Sequence, residues 1–100
     1  MVDIKGRAPS HPGTLLRDVV LPAMRVSIAQ AAREMGISRQ QLHKILSGRG
    51  KVTAEMATRL GKYCGNGPQL WLNMQNAFDL WHAQQTLAAD LEDIPSRAAG

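Results

Sequence analysis

Residues 27–48 read SIAQAAREMGISRQQLHKILSG, and this stretch decides the fold of the chain. Residues 27–30 and 38–41 both have the S-x-x-Q spacing of a capping box, which marks the start of a helix. Gly36 lies between the two predicted helices, where a tight turn calls for a residue that accepts a positive φ. A short helix, a turn with glycine and a second short helix are the pattern of a helix-turn-helix, whose second helix lies in the major groove of DNA.

The spacing of apolar residues divides both predicted helices into a buried and an exposed face. On the first helix, apolar residues recur at i, i+3, i+4 and i+7, the stripe of a helix that packs on a core. These residues are Ile28, Ala31, Ala32 and Met35. On the second helix, Leu42, Ile45 and Leu46 point to the core. The opposite face of the second helix is polar and carries no acid; it consists of Gln40, His43, Lys44 and Ser47.

The acid-free face predicts which residues contact DNA. Arg39 and Gln40 lie at the N-terminal end of the second helix, which enters the groove first, and they can pair with guanine and adenine respectively. Neighbouring cations and helix-start residues suit the phosphate backbone. The predicted DNA-contacting set is Ser27, Gln30, Ser38, Arg39, Gln40, His43, Lys44, Arg49 and Lys51. One alternative is a purely capping role for Ser27, Gln30 and Ser38. The other is a plain solvated surface for Arg39 and Gln40 and for Arg49 and Lys51.

The stretch before the motif predicts another helix. Residues 11–14, HPGT, form its entry, because proline suits the first turn of a helix. An apolar stripe follows, formed by Leu15, Leu16 and Val19. Residues 21–22, Leu-Pro, are expected to end this helix, because proline disfavours the helical conformation in the residue before it.

The stretch after the motif predicts two more helices and no strand. Thr53 caps one of them, with Glu55 in its first turn, where the helix dipole favours an anion. Residues 65–68, Gly-Asn-Gly-Pro, stop that helix and begin a long helix that runs to about Leu87. The predicted organisation is a flexible N-terminal segment at 1–10, a helix-turn-helix domain with a C-terminal dimerisation helix at 11–88, and a frayed tail at 89–100.

Length, charge and cysteine content narrow the class of protein. The chain has 100 residues, enough for one small domain, and a net charge of +4. Residues 1–64 hold 11 Lys or Arg against 4 Asp or Glu, whereas residues 65–100 hold 1 against 4. A basic front half predicts a polyanionic partner. The sequence has a single cysteine, Cys64, and it has neither an apolar run that could span a bilayer nor a signal pattern. These features predict a cytoplasmic protein without a membrane partner.

Residues 27–48 resemble the Cro/CI, or XRE, class of helix-turn-helix proteins. The match rests on Ala32, on Gly36 four residues later, and on the apolar Leu42 and Ile45. The class places the second helix of the motif in the major groove, as the pattern of the residues does.

The flanking motifs resemble, more narrowly, the HigA-type antitoxins of type II toxin–antitoxin modules, and this likeness covers residues 11–85. The motifs are HPG at 11–13, SRQxL at 38–42, LSGR at 46–49, TAEMAxRL at 53–60 and GPxxWLNMQ at 67–75. The run from Trp71 to Trp81 is the most specific part. Gly67 departs from the family pattern, in which Ser or Thr is expected as the helix cap, but glycine is also an acceptable cap.

The resemblance implies a fold and two partners. The fold is an all-α, five-helix, lambda-repressor-like DNA-binding domain with a helix-turn-helix and a long C-terminal helix. The partners are a palindromic double-stranded operator and a cognate HigB-type toxin, a small ribosome-dependent enzyme that cleaves mRNA. Proteins of this type neutralise their toxin and repress their own operon.

The last helix is predicted to join two copies of the chain in a homodimer. One helix-turn-helix reads only a few base pairs, whereas two copies about 34 Å apart read a palindrome. Apolar residues at helical spacing give the predicted dimer interface, which is Leu70, Trp71, Met74, Phe78 and Trp81. The alternative is that both tryptophans cover the core of a single chain.

Three other classes of protein stand as alternatives. An enzyme is disfavoured because His11, His43 and His82 are scattered and Cys64 is far from them in sequence; no catalytic residue, metal site or cofactor is predicted. A free-standing repressor would share every base-reading residue and lack the toxin. A protein-binding module that kept the fold and lost the DNA is disfavoured by the acid-free helix face.

Overall fold

The computed structural model describes residues 7–97, and within that range the chain is helical without a strand. The elements are α1 (Pro12–Leu15), a π-helical turn (Leu16–Val20), α2 (Leu21–Met24), α3 (Ile28–Met35), α4 (Arg39–Leu46), α5 (Ala54–Cys64), α6 (Pro68–Thr86) and α7 (Ala88–Glu92). The first three follow one another without a break, so five helices precede the short α7, and the predicted all-α class is confirmed. The predicted N-terminal segment and tail extend beyond the described residues, at 1–6 and 98–100.

The first helix departs from the prediction, because it does not end at Leu21 and Pro22. The N–H of Leu21 donates to the carbonyl of Leu16, which is the π-helical spacing. This wider turn relieves the clash that the ring of Pro22 would make with a carbonyl four residues earlier, and the helix continues to Met24. The same turn rotates Val19 outward, where it is 55% exposed, so its place in the predicted apolar stripe is wrong.

Serine hydroxyls start both helices of the helix-turn-helix, as predicted. Oγ of Ser27 and Oγ of Ser38 each accept the backbone N–H three residues later, at 3.0 Å. Within the described residues both boxes are only half formed, because neither Gln30 nor Gln41 accepts the backbone N–H of its serine in return. Nε2 of Gln30 instead donates to Glu34 at 3.2 Å. Gly36 adopts a φ of 74°, the left-handed conformation that the turn requires.

The buried faces of the helices, from the first helix to the start of α6, form one hydrophobic core. It consists of Leu16, Leu21, Ala31, Ala32, Met35, Leu42, Ile45, Leu46, Val52, Met56, Ala57, Leu60 and Trp71. Two glycines let backbones approach closely around it. A methyl group on Gly13 would collide with the carbonyl oxygen of Ile45, and one on Gly61 would collide with the backbone of Gly67 and Pro68. The start of α1 therefore lies directly against α4, and α5 lies directly against the start of α6.

The first half of α6 belongs to the core of the single chain. Trp71 is fully buried, and its Nε1 donates to Oδ1 of Asn66 at 2.9 Å. This burial corrects the predicted role of Trp71 in a dimer interface, because its surface is already covered by its own chain. Gln75, one turn later, is 2% exposed and also faces inward.

The last turn of α6 and the whole of α7 extend away from the core. Every residue from 82 to 97 is exposed, including those of α7, which occupies the start of the predicted frayed tail. The molecule measures 52 × 27 × 24 Å, and its radius of gyration is 16.5 Å. A compact domain of this length has a radius of gyration of about 13 Å. Among the described residues, no helix is both long and apolar enough to cross a bilayer.

Candidate nucleic-acid interface

The polar face of α4 points away from the core and is open to solvent. The core side of the helix holds Leu42, Ile45 and Leu46, none of which is more than 4% exposed. The predicted base-reading residues lie opposite and are all exposed: Arg39, Gln40, His43 and Lys44. No carboxylate occurs between residues 36 and 51, so the charge of this face comes from its cations. A convex helix with this chemistry fits the wide groove of a DNA duplex.

The serine caps bring the starts of α3 and α4 into the same candidate interface. Ser27 and Ser38 are exposed, and each hydroxyl oxygen is occupied by its own helix. A hydroxyl has a donor as well as acceptor sites, so each serine can cap its helix and donate to a phosphate at the same time. The two roles that the sequence left open are therefore compatible.

Two arginines outside this face fix the C-terminal ends of the same two helices. Nη1 of Arg59, on α5, donates to the carbonyl of Met35 at 2.8 Å. Nη1 of Arg17, in the π-helical turn, donates to the carbonyl of Leu46 at 3.4 Å, and its Nε pairs with Asp18 at 2.7 Å. Cations are favoured at helix C-termini because of the helix dipole. Serines and guanidinium groups thus hold α3 and α4 at opposite ends.

The basic loop at residues 47–51 folds back on the end of α4. The backbone N–H groups of Arg49 and Gly50 both donate to the carbonyl of Lys44, at 3.0 and 2.9 Å. The hydroxyl of Ser47 donates to the same carbonyl at 3.0 Å, and Nε of Arg49 donates to Oγ of Ser47 at 3.2 Å. Arg49 is therefore held beside the last turn of α4, next to Lys44.

Lys51 differs from the other predicted contacts because its ammonium group is in an ion pair. Its Nζ lies 3.0 Å from Oδ2 of Asp79 on α6. Oδ1 of Asp79 accepts from Nε2 of Gln75 at 2.9 Å, and Oε1 of Gln75 accepts from the N–H of Val52 at 2.8 Å. Burial raises the pKa of Asp79, but the hydrogen bonds from Lys51 and Gln75 outweigh it, so the net pKa is lowered.

Sequence reasoning missed the roles of Gln75 and Asp79. The N–H that Gln75 accepts lies 23 residues earlier in the chain, so no local spacing reveals the bond. The one signal is that Gln75 stands four residues after Trp71, in line with the apolar face of the helix. A polar residue in that position has to find a partner when it is buried.

His11 supports the same loop from the start of α1. The side chain is 6% exposed, and its Nδ1 accepts the N–H of Gly13 at 2.9 Å, so His11 caps the helix. Its ring lies edge-on to Phe78, with the centroids 5.0 Å apart. Burial lowers the pKa of His11, although a hydrogen bond with the backbone of Gly50 and the charge of Asp79 oppose the shift. His11 therefore contacts α1, the loop after α4 and α6 at the same time.

The predicted dimer stripe is only partly available on the surface. Leu70 is 41% exposed, whereas Trp71 is fully buried. The half-buried members are Met74, Phe78 and Trp81. Beside Met74 lies a concave cavity of about 320 Å³, whose other lining residues are Ser10, Thr14, Leu15, Asp18 and Val19. An apolar surface with a depression therefore runs along α6 and the first helix.

Other reactive groups of the described chain lie outside the candidate interface. Within residues 7–97, no three His, Cys, Asp or Glu side chains come together in a group that could hold a metal ion. Burial raises the pKa of the half-buried Cys64 thiol. A second cavity, of about 330 Å³, lies between α3 and α5. The hydroxyl of Tyr63 there donates to Glu34 at 2.6 Å, and burial together with this bond raises the pKa of Tyr63 to about 12.

Comparison with known proteins finds relatives across most of the chain. The family described as "Helix-turn-helix domain" matches residues 6–70. Antitoxin HigA-1 of Vibrio cholerae is 36% identical over 75 residues, which cover 75% of this chain and 70% of that protein. The matched family and the relatives are described as helix-turn-helix proteins, antitoxins and transcriptional regulators.

Two solved structures of protein–DNA complexes share the whole fold. One is antitoxin GraA in complex with its operator, which is 35% identical, covers 100% of this chain and 99% of that chain, and has a TM-score of 0.85. The other is the Pseudomonas aeruginosa antitoxin HigA with the higBA promoter. It is 31% identical, covers 91% of this chain and 99% of that chain, and has a TM-score of 0.83.

Proposed function

We propose that this chain, which belongs to the helix-turn-helix family and is a HigA-type antitoxin, represses its own operon by binding a palindromic operator as a dimer. It also neutralises a cognate HigB-type toxin that cleaves mRNA. Its setting is the cytoplasm, where the operator and the toxin's targets are found. The observation that carries the DNA-binding part is the exposed, acid-free face of α4 beside a basic loop.

The base contacts come from the N-terminal half of α4. Arg39 donates two hydrogen bonds to a guanine edge, and Gln40 pairs with an adenine edge. Lys44, one turn later, reaches a base or a phosphate, and His43 lies between them on the same exposed face. These side chains select the sequence, because base edges in the major groove carry the sequence information.

The phosphate contacts surround the base-reading face and set the position of the protein on the duplex. Ser27 and Ser38 donate from the helix starts, where the N-terminal dipole also favours an anion, and Gln30 lies in the first turn of α3. Arg49 and Lys51 contact the backbone from the loop after α4. Such contacts give affinity without sequence preference and make binding depend on salt.

The dimer surface proposed for this protein lies on α6, with Trp71 excluded. It is formed by Leu70, Met74, Phe78 and Trp81. Further apolar side chains continue the surface along α6 and α7, and the exposed ones are Leu80, Leu87, Leu91 and Ile94. Exposed apolar surface of this extent indicates an interaction site. Two chains joined there would present two copies of α4 to a palindrome.

Substitution of Arg39 by alanine tests the DNA-binding proposal. Arg39→Ala is expected to weaken operator binding by about 1–3 kcal/mol, because the bidentate pair with a guanine is lost. The measurement is a fluorescence anisotropy titration of a labelled duplex from the region upstream of the gene. Lys62→Ala is the matched control, since it removes an exposed cation from α5 and not from α4. Unchanged affinity in Arg39→Ala, or an equal loss in the control, would exclude the proposed groove contact.

Salt dependence separates the DNA-binding proposal from a protein-binding module of the same fold. Each phosphate that a Lys or Arg neutralises releases counterions, so operator affinity falls steeply between low and moderate salt. A module that had lost its DNA would show no such salt-dependent binding. A free-standing repressor would behave like the antitoxin in this titration and differ only in having no toxin partner.

A further inference from the structure

The loop after α4 is tied to α6 by a chain of three polar contacts. The N–H of Val52 donates to Gln75, Gln75 donates to Asp79, and the second oxygen of Asp79 faces the ammonium group of Lys51. The distances are 2.8, 2.9 and 3.0 Å. Both carboxylate oxygens of Asp79 are therefore engaged, one by a buried amide and one by a cation of the proposed DNA-binding surface.

The two ends of this chain differ in their freedom to move. Gln75 is 2% exposed, so its amide is fixed by the packing around it and holds the carboxylate of Asp79 in place. The side chain of Lys51 is 68% exposed and that of Asp79 is 36% exposed. The lysine can therefore swing into solvent while the carboxylate stays where it is.

Lys51 differs from the other cations of the proposed DNA-binding surface because it is paired with a carboxylate. Within residues 7–97, Arg39, Lys44 and Arg49 form no ion pair with a carboxylate, whereas Lys51 does. A cation that already faces a carboxylate must give up that partner before it can neutralise a phosphate. Exposed ion pairs are weak, so a DNA phosphate can replace the carboxylate as the partner of Lys51 at a small cost in free energy.

We propose that Asp79 competes with DNA phosphate for Lys51, so that a carboxylate on α6 lowers the affinity of this protein for its operator. The proposal rests on the proposed DNA-binding function and adds a residue that lies outside the DNA-reading helix. Asp79 lowers affinity without contacting DNA. It also ties the strength of DNA binding to the helix that carries the proposed dimer surface.

The variant Asp79→Asn tests the competition directly. Asparagine keeps the size of the side chain and can still accept from Gln75, but it no longer attracts Lys51. Operator affinity at moderate salt is expected to rise roughly twofold to fivefold, the range that corresponds to an exposed ion pair. The slope of log affinity against log salt concentration is expected to steepen by up to about 0.9, since one more phosphate is neutralised.

Two further variants separate this effect from a general change of charge. Asp90→Asn removes a carboxylate from the exposed α7, away from Lys51, and is expected to change affinity less than Asp79→Asn. Lys51→Ala combined with Asp79→Asn is expected to abolish the gain, because the released cation is then missing. Circular dichroism melting of each variant shows whether the fold is retained. Lys51→Ala alone is expected to lose less operator affinity than Arg49→Ala, because Lys51 has a competing carboxylate and Arg49 has none. This comparison does not depend on the stability of an Asp79 variant.

The outcomes distinguish the inference from the proposed function. In one case the wild-type protein binds the operator but Asp79→Asn shows no gain in affinity; in another, Asp90→Asn shows an equal gain. Either result would overturn the competition and leave the DNA-binding role intact. A gain that persists in the double variant would overturn it as well. No binding of the operator by the wild-type protein would contradict the proposed function, and the inference with it.

Discussion

At the scale of single residues, the proposed DNA-binding surface depends on buried polar side chains that do not reach it. Gln75 accepts the N–H of Val52, and His11 accepts the N–H of Gly13 while its ring packs on Phe78. Both side chains are almost fully buried. A buried donor that loses its partner costs about 1–3 kcal/mol, so these residues fix the loop and the first helix relative to α4.

The burial of His11 predicts a dependence of stability on pH. Its folded-state pKa is lowered below the ordinary value of 6.5, so the unfolded chain binds the proton more readily than the native protein. The stability linked to this lowered pKa is fully present above the unfolded pKa and is lost as the pH falls through the folded pKa. The free energy of unfolding is therefore expected to decrease as the pH falls below 6.5.

Urea unfolding at a series of pH values measures this dependence. His11→Asn is the informative variant, because asparagine can also cap a helix and does not titrate. It is expected to flatten the dependence below pH 6.5, whereas His43→Gln, at an exposed site, is expected to retain it. Identical pH profiles for the wild-type protein and His11→Asn would refute the assignment of the effect to this ring.

At the scale of elements, local signals predicted the helices that follow the first one. Capping serines and a threonine marked the starts of α3, α4 and α5, and the periodic apolar residues marked their buried faces. Both kinds of signal act within one or two turns, so they can be read from consecutive residues. For the same reason, the exposed face of α4 and its side chains followed from the sequence.

The parts that the sequence did not predict depend on wider turns or on distant partners. The π-helical turn accommodates Pro22 within a continuing helix and turns Val19 outward, which the spacing of an α-helix does not anticipate. Trp71 fills the core and Lys51 pairs with Asp79, and each of these outcomes depends on where α6 packs. A periodic pattern shows that a helix has an apolar face, but it does not show which chain covers that face.

At the scale of the whole molecule, the elongated shape is consistent with the proposed dimer. The last residues of α6, from 82 onward, and those of α7 are all exposed, and a helix without tertiary packing is marginal in water. The apolar residues Leu80, Leu87, Leu91 and Ile94 remain exposed. Dimerisation along α6 would cover these side chains and would also place two copies of α4 on one face of the assembly.

Light scattering coupled to size exclusion tests the proposed assembly. At micromolar concentration the chain alone is expected to have the mass of two copies, and Leu80→Asp is expected to halve it, because a charge would enter the apolar interface. Thr58→Asp, on the exposed side of α5, is the control and should leave the mass unchanged. Addition of a HigB-type toxin, taken from the neighbouring reading frame where one is present, is expected to produce a heavier complex. A monomeric wild-type chain would contradict the dimer, and an unchanged mass on mixing would favour the free-standing repressor.

The most direct test of the central claim, that α4 and the loop after it bind DNA, is a map of backbone amide chemical shifts during titration with the operator duplex. The largest changes are expected at residues 27–30, 38–44 and 47–51. The cavity lined by Arg59, Lys62 and Tyr63 lies elsewhere on the molecule and should change little. Changes concentrated at that cavity, with α4 unaffected, would contradict the claim.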